Sequence, residues 1–252
     1  MLTLANVSKS FQDGDGKTVD VLKELDLTTE PGEFMTIFGP NGCGKSTLMS
    51  MIVGVEKPTQ GDILFHSQPV EIGYVFQDYK ASLLPWRTVQ DNIALPLIWK
   101  GMKKQQAVQK VRELVETFKL NVNLKAYPFT LSGGQAQLVC ILRSLVIKPN
   151  ILILDEPASA LDYLNSMNLL MELQQFWMKL NFTALFISHD IEEALFLGDR
   201  LLLLSPKPTQ IIDIIDINLP RPRTLEVFTH PEFVKLKRRA LERLYPMLLP
   251  SS

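Results

Sequence analysis

The sequence has little cysteine, no excess of positive charge and no long apolar run. Its two cysteines, Cys43 and Cys140, are too few for a disulfide framework in 252 residues, and neither has metal-ligand spacing. The net charge of −1 argues against a broadly basic surface for nucleic acid. No window reaches the roughly 18 apolar residues of a membrane span, and the start "MLTLANVSKSF" lacks the features of a signal peptide. We therefore expect a chain in the reducing cytosol that does not cross a membrane and does not bind nucleic acid.

Four short apolar runs are each closed by turn residues: "EFMTIFGP", "NILILDEP", "ALFISHD" and "DRLLLLSP". Such runs are typical of buried parallel strands, whose following loops meet at one edge of the sheet. Two stretches near the start, "LTLANVSKSF" and "VDVLKELDLTTEPGE", instead alternate apolar and polar residues, which predicts antiparallel pairing. The expected class is α/β, with a parallel sheet beside an antiparallel lobe.

The stretch "GPNGCGKST" fits the phosphate-loop pattern G-x-x-x-x-G-K-[ST] between a predicted strand and a predicted helix. Its backbone N–H groups and the start of the helix would face a phosphate. We expect Lys45 to reach the β- and γ-phosphates and the Ser46 hydroxyl to bind Mg²⁺; the alternative is a chance glycine turn. The predicted nucleotide-binding residues of this loop are Gly39, Pro40, Asn41, Gly42, Cys43, Gly44, Lys45, Ser46 and Thr47.

Acidic and imidazole side chains follow two of the other predicted strands. Asp155 and Glu156 end "ILILDEP", and strand alternation predicts that they point in opposite directions and have different roles. Asp155 is expected to hold hydrated Mg²⁺, and Glu156 to polarise the water that attacks the γ-phosphate. His189, after "ALFIS", is predicted to lie within reach of the γ-phosphate. The alternatives are that Glu156 only caps the turn before Pro157 and that His189 is structural.

A second glycine-containing loop, "LSGGQ", precedes an apolar helical run and has no lysine. With these motifs in this order, the chain resembles the nucleotide-binding subunit of an ATP-binding cassette (ABC) transporter over nearly its whole length. The resemblance implies the ABC ATPase fold: a P-loop NTPase core with a parallel sheet, an antiparallel β lobe and a helical insert. It also implies that Ser132, Gly133, Gly134 and Gln135 cap the γ-phosphate held by the other subunit of a head-to-tail dimer. Taken alone, the stretch also fits a simple helix N-cap.

The resemblance assigns three further residues. Gln77 would bind Mg²⁺ and sense the attacking water, Phe11 would stack on adenine, and Asp162 would link the two sites across the dimer. Phe11 is also consistent with an ordinary core position. The signature departs from its usual continuation at Ala136 and Leu138, where arginines are common, which puts the rate of hydrolysis in doubt more than the chemistry.

The remaining segments give the domain organisation. A helical insert is expected at about 88–145, with Pro96 and Gly101 breaking its first helical stretch. The predicted domains are a nucleotide-binding domain at 1–219 and a C-terminal helical tail at 220–252. Four tail residues are expected on one helical face: Phe233, Leu236, Leu241 and Leu244. The basic tail residues would face either anionic lipid or solvent: Lys235, Lys237, Arg238, Arg239 and Arg243.

The segment "ASLLPWRTVQDNIALPL" resembles importer subunits for nitrate, sulfonate, taurine and bicarbonate. There, Leu84, Pro85 and Trp86 would receive the coupling helix of a membrane partner; the alternative is a plain packed turn. The resemblance predicts an ATPase that powers a small-oxyanion importer by ATP-driven dimer closure, with Mg²⁺, at the cytoplasmic face of the inner membrane. Its partners would be a second copy or related subunit, permease subunits and, indirectly, a solute-binding protein. The alternatives are an exporter ATPase, a soluble cassette ATPase for DNA repair or translation, and a regulatory ATP-binding module.

Overall fold

The computed structural model describes residues 2–66 and 69–248. The chain forms two compact units. Unit 1 comprises Met1–Val70 and Thr183–Ser252, and unit 2 comprises Glu71–Phe182. Within the described ranges, no helix combines the length and apolarity needed to cross a bilayer.

Unit 1 carries two sheets and three helices in its described part. Its elements, in chain order, are β1 (Leu2–Gln12), β2 (Thr18–Thr29), β3 (Phe34–Phe38), α1 (Lys45–Ile52), β4 (Gln60–Phe65), β7 (Thr183–Ser188), α7 (Ile191–Leu197), β8 (Arg200–Leu204), β9 (Ile211–Asp216), a 3₁₀ turn (Leu225–Thr229) and α8 (Pro231–Leu248). The first sheet is antiparallel, with the order β2-β1-β4. In the second, β3 pairs in parallel with β7 and β8, and β9 runs antiparallel to β8.

The burial of these strands follows their sequence patterns. All six residues of β7 are buried, as are four of the five in β8, which is typical of parallel strands covered on both faces. In β2, buried Leu25, Leu27 and Thr29 alternate with exposed neighbours, so one face of the antiparallel sheet packs inward. The predicted parallel core strands and antiparallel lobe are confirmed.

Helix α8 packs into unit 1 through one face. Phe233, Leu236, Ala240 and Leu244 join a buried cluster with residues of β8, β9 and α7. The prediction that Leu241 lies on this face was wrong, because Leu241 is 45% exposed. At 3.6 residues per turn, Ala240 takes the inward position and Leu241 is rotated about 100° away from it.

Unit 2 is mainly helical. Its elements are β5 (Ile72–Val75), α2 (Tyr79–Ser82), α3 (Val89–Trp99), α4 (Lys104–Thr117), a 3₁₀ turn (Pro128–Thr130), α5 (Gly133–Leu145), β6 (Ile151–Asp155) and α6 (Tyr163–Leu180). Strands β5 and β6 pair in parallel, and α3 packs against α4 and α5.

The prediction that Pro96 breaks the first helix of the insert was wrong. The helix continues through Pro96 to Trp99, and the chain turns at Gly101, whose φ of 88° is left-handed. Proline keeps a helical φ and removes only one backbone donor, while buried Val89, Ile93 and Leu97 hold the helix by packing. Tertiary packing therefore outweighs the local preference at this position.

Candidate active site

The phosphate loop lies between β3 and α1, as the motif requires. Cys43 N–H donates to the Pro40 carbonyl at 3.2 Å, which closes a tight turn. Gly44 begins the helix with φ 111°, and a Cβ there would lie 2.9 Å from Val21 Cγ1. Only glycine fits this position without strain and without displacing β2.

Lys45 is buried against its own loop. Its Nζ donates to the carbonyls of Gly39 at 2.8 Å and Pro40 at 3.1 Å, so the ammonium is held over the turn. The N–H groups of the first turn of α1, from Lys45 to Thr47, have no acceptor within the helix. A held ammonium beside the N–H donors of a helix start is an arrangement that favours anion binding, as does the macrodipole of α1. That this loop binds phosphate stays a prediction.

Phe11 lies on the surface of unit 1, where it is 39% exposed. Its ring is 4.7 Å from Lys9 Nζ, and its backbone pairs with Val19 of β2. The exposure argues against an ordinary core role and leaves the ring available to stack on a planar ligand.

His189 is exposed on the turn between β7 and α7. The turn is rigid: Ser188 Oγ accepts from Asp190 N–H at 2.9 Å and donates to Glu193 Oε2 at 2.6 Å. Asp190 caps α7 by accepting from Glu192 N–H at 2.7 Å. The imidazole is therefore presented to solvent on a fixed backbone, unlike a buried structural histidine.

In unit 2, Asp155 ends β6 and is buried. Tyr74 of the neighbouring strand β5 donates from its hydroxyl to Asp155 Oδ2 at 3.1 Å. Burial, together with the charge of Asp155 and this hydrogen bond, raises the pKa of Tyr74, so the phenol stays protonated and keeps donating. Sequence reasoning missed Tyr74, because a tyrosine within a strand carries no signal of its partner.

Glu156 has different surroundings from Asp155. Its backbone is left-handed, with φ 46°, and the turn is fixed by Ser159 Oγ, which donates to the Glu156 carbonyl at 2.9 Å. The carboxylate of Glu156 accepts from Gln77 Nε2 at 3.3 Å, which brings together two predicted catalytic residues. The turn is thus stabilised through the Glu156 backbone, while its side chain contacts Gln77. That the phosphate loop meets these acids stays a prediction.

The signature loop starts α5 with a capping box. Ser132 Oγ accepts from Gln135 N–H at 3.3 Å, and Gln135 Oε1 accepts from Ser132 N–H at 3.1 Å. The helix N-cap alternative is therefore realised, and it is compatible with anion binding: the exposed Ser132 keeps its hydroxyl proton, and the N–H groups of Gly133 and Gly134 have no acceptor within the helix. A Cβ at Gly133 would lie 2.8 Å from Tyr79 Oη, which explains that glycine.

Asp162 caps α6. It accepts from Asn165 N–H at 3.0 Å and from Asn165 Nδ2 at 2.6 Å. These hydrogen bonds lower the pKa of Asp162, so its carboxylate stays ionised at neutral pH. The structure of one chain gives this residue a capping role, and its role across a dimer stays a prediction.

The turn at Leu84–Trp86 is held by a buried side chain on one side and is exposed to solvent on the other. Asn92, fully buried, accepts from Leu84 N–H at 2.8 Å and donates to the Leu84 carbonyl at 3.1 Å. Trp86 is 71% exposed, which does not fit a plain packed corner. Nearby, a groove of about 400 Å³ is lined by Phe76, Leu84 and Trp99 among others. An exposed aromatic patch of this kind is typical of a protein interface.

The basic residues of α8 all contact acids within unit 1. The pairs are Lys235 with Glu232, Lys237 with Glu192, Arg238 with Glu242, and both Arg239 and Arg243 with Asp213. Paired charges favour the solvated helix face over binding of anionic lipid.

Comparison with known proteins gives a consistent picture. The family model described as ABC transporter matches residues 22–159. The aliphatic sulfonates import ATP-binding protein SsuB of Bacillus cereus is 36% identical over 247 residues, covering 96% of this chain and 95% of that protein. The nitrate import ATP-binding protein NrtC of Synechococcus elongatus is 37% identical over 252 residues, covering 96% of this chain and 38% of that protein.

Solved structures agree with the sequence matches. The dimeric structure of MJ0796, a bacterial ABC transporter cassette, has a TM-score of 0.75 and 29% identity, covering 87% of this chain and 100% of that one. The structure of cbiO1 from Clostridium perfringens, part of the ABC transporter complex cbiONQ, has a TM-score of 0.76 and 26% identity, covering 97% and 96%. The predicted ABC ATPase fold is confirmed, and the chain belongs to the ABC transporter family as one of its ATP-binding, ATP-hydrolysing subunits.

Proposed function

We propose that this chain powers the import of a small oxyanion of the sulfonate or nitrate type. The observation that carries the proposal is the match over nearly the whole chain to ATP-binding proteins named for import of sulfonates and of nitrate. The exposed turn at Leu84–Trp86 supports a membrane partner on unit 2. These observations favour the importer over an exporter, a soluble cassette ATPase or a regulatory module.

The phosphates of ATP are bound by the loop from Gly39 to Thr47, with Lys45 as its cation. Mg²⁺ suits each of these side chains taken singly, because it prefers hard oxygen ligands: Ser46 in unit 1 offers a hydroxyl, and Asp155 in unit 2 offers a buried carboxylate. That both bind the same ion is part of the proposal. When bound, the ion neutralises charge on the phosphates. Tyr74 holds the Asp155 carboxylate in one orientation.

Glu156 polarises the attacking water. Gln77 orients Glu156, binds Mg²⁺ and senses the attacking water. His189 donates a hydrogen bond to the γ-phosphate. The contact of 3.3 Å between Gln77 Nε2 and Glu156 Oε2 supports a shared role for the first two. General base catalysis of this kind contributes about 10²–10⁴-fold to the rate. Phe11 stacks on the adenine ring, for which its exposure is the support.

Two copies, or this chain and a related subunit, close on two ATP molecules. The loop at Ser132–Gln135 of each caps the γ-phosphate of the other, and Asp162 links the sites. Closure then moves permease subunits bound at the Leu84–Trp86 turn, on the cytoplasmic face of the membrane. A solute-binding protein outside selects the substrate. In this proposal residues 1–219 form the nucleotide-binding domain and 220–252 its tail.

The first experiment separates hydrolysis from binding. Glu156→Gln in the full chain is expected to keep ATP binding and to lower ATP turnover by about 10²–10⁴-fold. The matched control is Glu116→Gln on the exposed face of α4, which should retain wild-type turnover. Near-normal turnover in Glu156→Gln would remove Glu156 from the general-base role.

A second experiment tests the transporter partner. Tagged Glu156→Gln, trapped with ATP in cells and purified from gently solubilised membranes, should capture a multi-span permease identifiable by mass spectrometry. Vesicles carrying that permease, the wild-type chain and the matching solute-binding protein should then take up labelled sulfonate or nitrate only with ATP. Capture of soluble or nucleic-acid-bound partners alone would overturn the importer while leaving the ATPase intact.

A further inference from the structure

A buried threonine outside the motifs contacts the phosphate loop. Thr209 lies between β8 and β9 in unit 1 and is completely buried. Its hydroxyl donates to the main-chain carbonyl of Cys43, in the middle of the loop. Thr209 and Cys43 are 166 positions apart in the chain.

The backbone of Thr209 is fixed by β2. Thr209 N–H donates to the Val21 carbonyl at 2.9 Å, and Lys23 N–H donates to the Thr209 carbonyl at 2.9 Å. These two bonds make Thr209 a further strand partner of β2, opposite Leu22. Because threonine is branched at Cβ, its χ1 angle has few allowed values, and its hydroxyl is held against the loop.

The bond to Cys43 constrains the peptide group that follows. The carbonyl of Cys43 and the N–H of Gly44 belong to one planar trans peptide and point in opposite directions. Gly44, with φ 111°, has the conformational freedom to let this peptide rotate. With the carbonyl bound by Thr209, the Gly44 N–H points away from Thr209.

We infer that Thr209 is a positioning residue for nucleotide binding: its hydroxyl holds the Cys43–Gly44 peptide so that the Gly44 N–H is presented to a phosphate. A donor that is already oriented needs no rearrangement when the anion binds, which strengthens binding. The same strand that fixes Thr209 also packs on Gly44 through Val21. This inference rests on the proposed binding of ATP phosphates by residues 39–47.

The test compares two substitutions in the full chain. Thr209→Val keeps the branched shape but removes the hydroxyl, and is expected to weaken ADP and ATP binding about tenfold by calorimetry, the effect of one lost hydrogen bond. The KM for ATP should rise similarly, while kcat at saturating ATP stays within about threefold, since the hydrolytic residues are untouched. Thr209→Ser keeps the hydroxyl and should bind nucleotide within about twofold of wild type.

Thr29→Val is the matched control for a purely structural role. Thr29 is also fully buried in unit 1, and its hydroxyl bonds to the backbone of Leu2. The substitution Thr29→Val should lower the melting temperature without changing nucleotide affinity. The inference would be overturned if Thr209→Val bound nucleotide with wild-type affinity. It would also be overturned if Thr209→Ser or Thr29→Val lost as much nucleotide affinity as Thr209→Val. Failure of the wild-type chain itself to bind ADP would instead refute the proposed function.

Discussion

The substitution Arg223→Met tests how unit 1 is held together around α7. Arg223 is 3% exposed. Its Nη1 donates to the carbonyls of Leu195 and Phe196 at 2.9 Å and of Gly198 at 2.7 Å, and its Nη2 to those of Ile217 and Leu219 at 3.5 and 3.3 Å. One guanidinium thus ties the end of α7 to the segment after β9.

Two opposing effects set the magnitude of the change. Burial is the main reason that the pKa of Arg223 falls to about 9, with Arg221 adding to the fall and Asp199 opposing it, so removing the charge recovers some desolvation free energy. Against this, methionine leaves five carbonyls without their donor, and each one that stays unsatisfied costs about 1–3 kcal/mol. We expect the balance of these effects to be a net loss of roughly 3 kcal/mol in the free energy of unfolding. The loss of the cation at the negative end of α7 contributes to it.

The assay is thermal unfolding followed by circular dichroism. For a chain of this length, a loss of 3 kcal/mol lowers the melting temperature by about 6–12 °C. At pH 6 and pH 8 the effect should be equal, since both lie below a pKa of about 9 and Arg223 is charged in the folded and unfolded states alike.

Two controls define the outcome. Arg238→Met removes an exposed arginine whose partner is Glu242, and should shift the melting temperature by less than about 2 °C. The melting temperature of Arg223→Lys should lie between those of the wild type and Arg223→Met, because three ammonium donors do not span five carbonyls. A melting temperature for Arg223→Met within about 2 °C of wild type would show that the carbonyls find other donors, and would refute the reasoning.

Three further predictions concern single side chains. Burial raises the pKa of the Cys43 and Cys140 thiols, so neither should react quickly with a thiol reagent at pH 8 in the native chain, and both should react in denaturant; fast native labelling would contradict their burial. Tyr74→Phe removes the hydroxyl that orients Asp155, and it should raise the Mg²⁺ concentration needed for half-maximal ATP hydrolysis about tenfold. An unchanged Mg²⁺ titration would show that Asp155 is oriented without this hydroxyl. Gln137 is fully buried and its amide has no hydrogen-bond partner in the described part of the chain, so Gln137→Met should raise the melting temperature by about 2–4 °C; a fall would indicate a partner such as buried water.

The fold and the loops were predictable from the sequence because their signals are local. The phosphate-loop pattern spans eight consecutive residues, and the buried strands are continuous apolar runs. The two local errors, Pro96 and Leu241, arose where packing rather than residue preference decides the outcome.

The supporting contacts were not predictable, because their partners are distant in sequence. Tyr74 contacts Asp155 across 81 positions, and Thr209 contacts Cys43 across 166. Arg223 lies in the proline-rich stretch "LPRPR", where nothing in the local pattern shows that one arginine is buried. Long-range hydrogen bonds of this kind leave no periodic trace in the sequence.

The left-handed backbone of Glu156 lowers stability at the residue that is proposed as the general base. A residue with a Cβ at φ 46° carries backbone strain of about 1–3 kcal/mol, which glycine relieves and asparagine tolerates better. Selection for thermal resistance alone would therefore favour glycine or asparagine at 156, and each would discard the carboxylate that contacts Gln77. An engineering screen that scores only heat tolerance would lead this chain towards a more stable protein that lacks the carboxylate proposed as the general base. If that proposal is correct, a screen that also demands turnover would keep the glutamate and its strain.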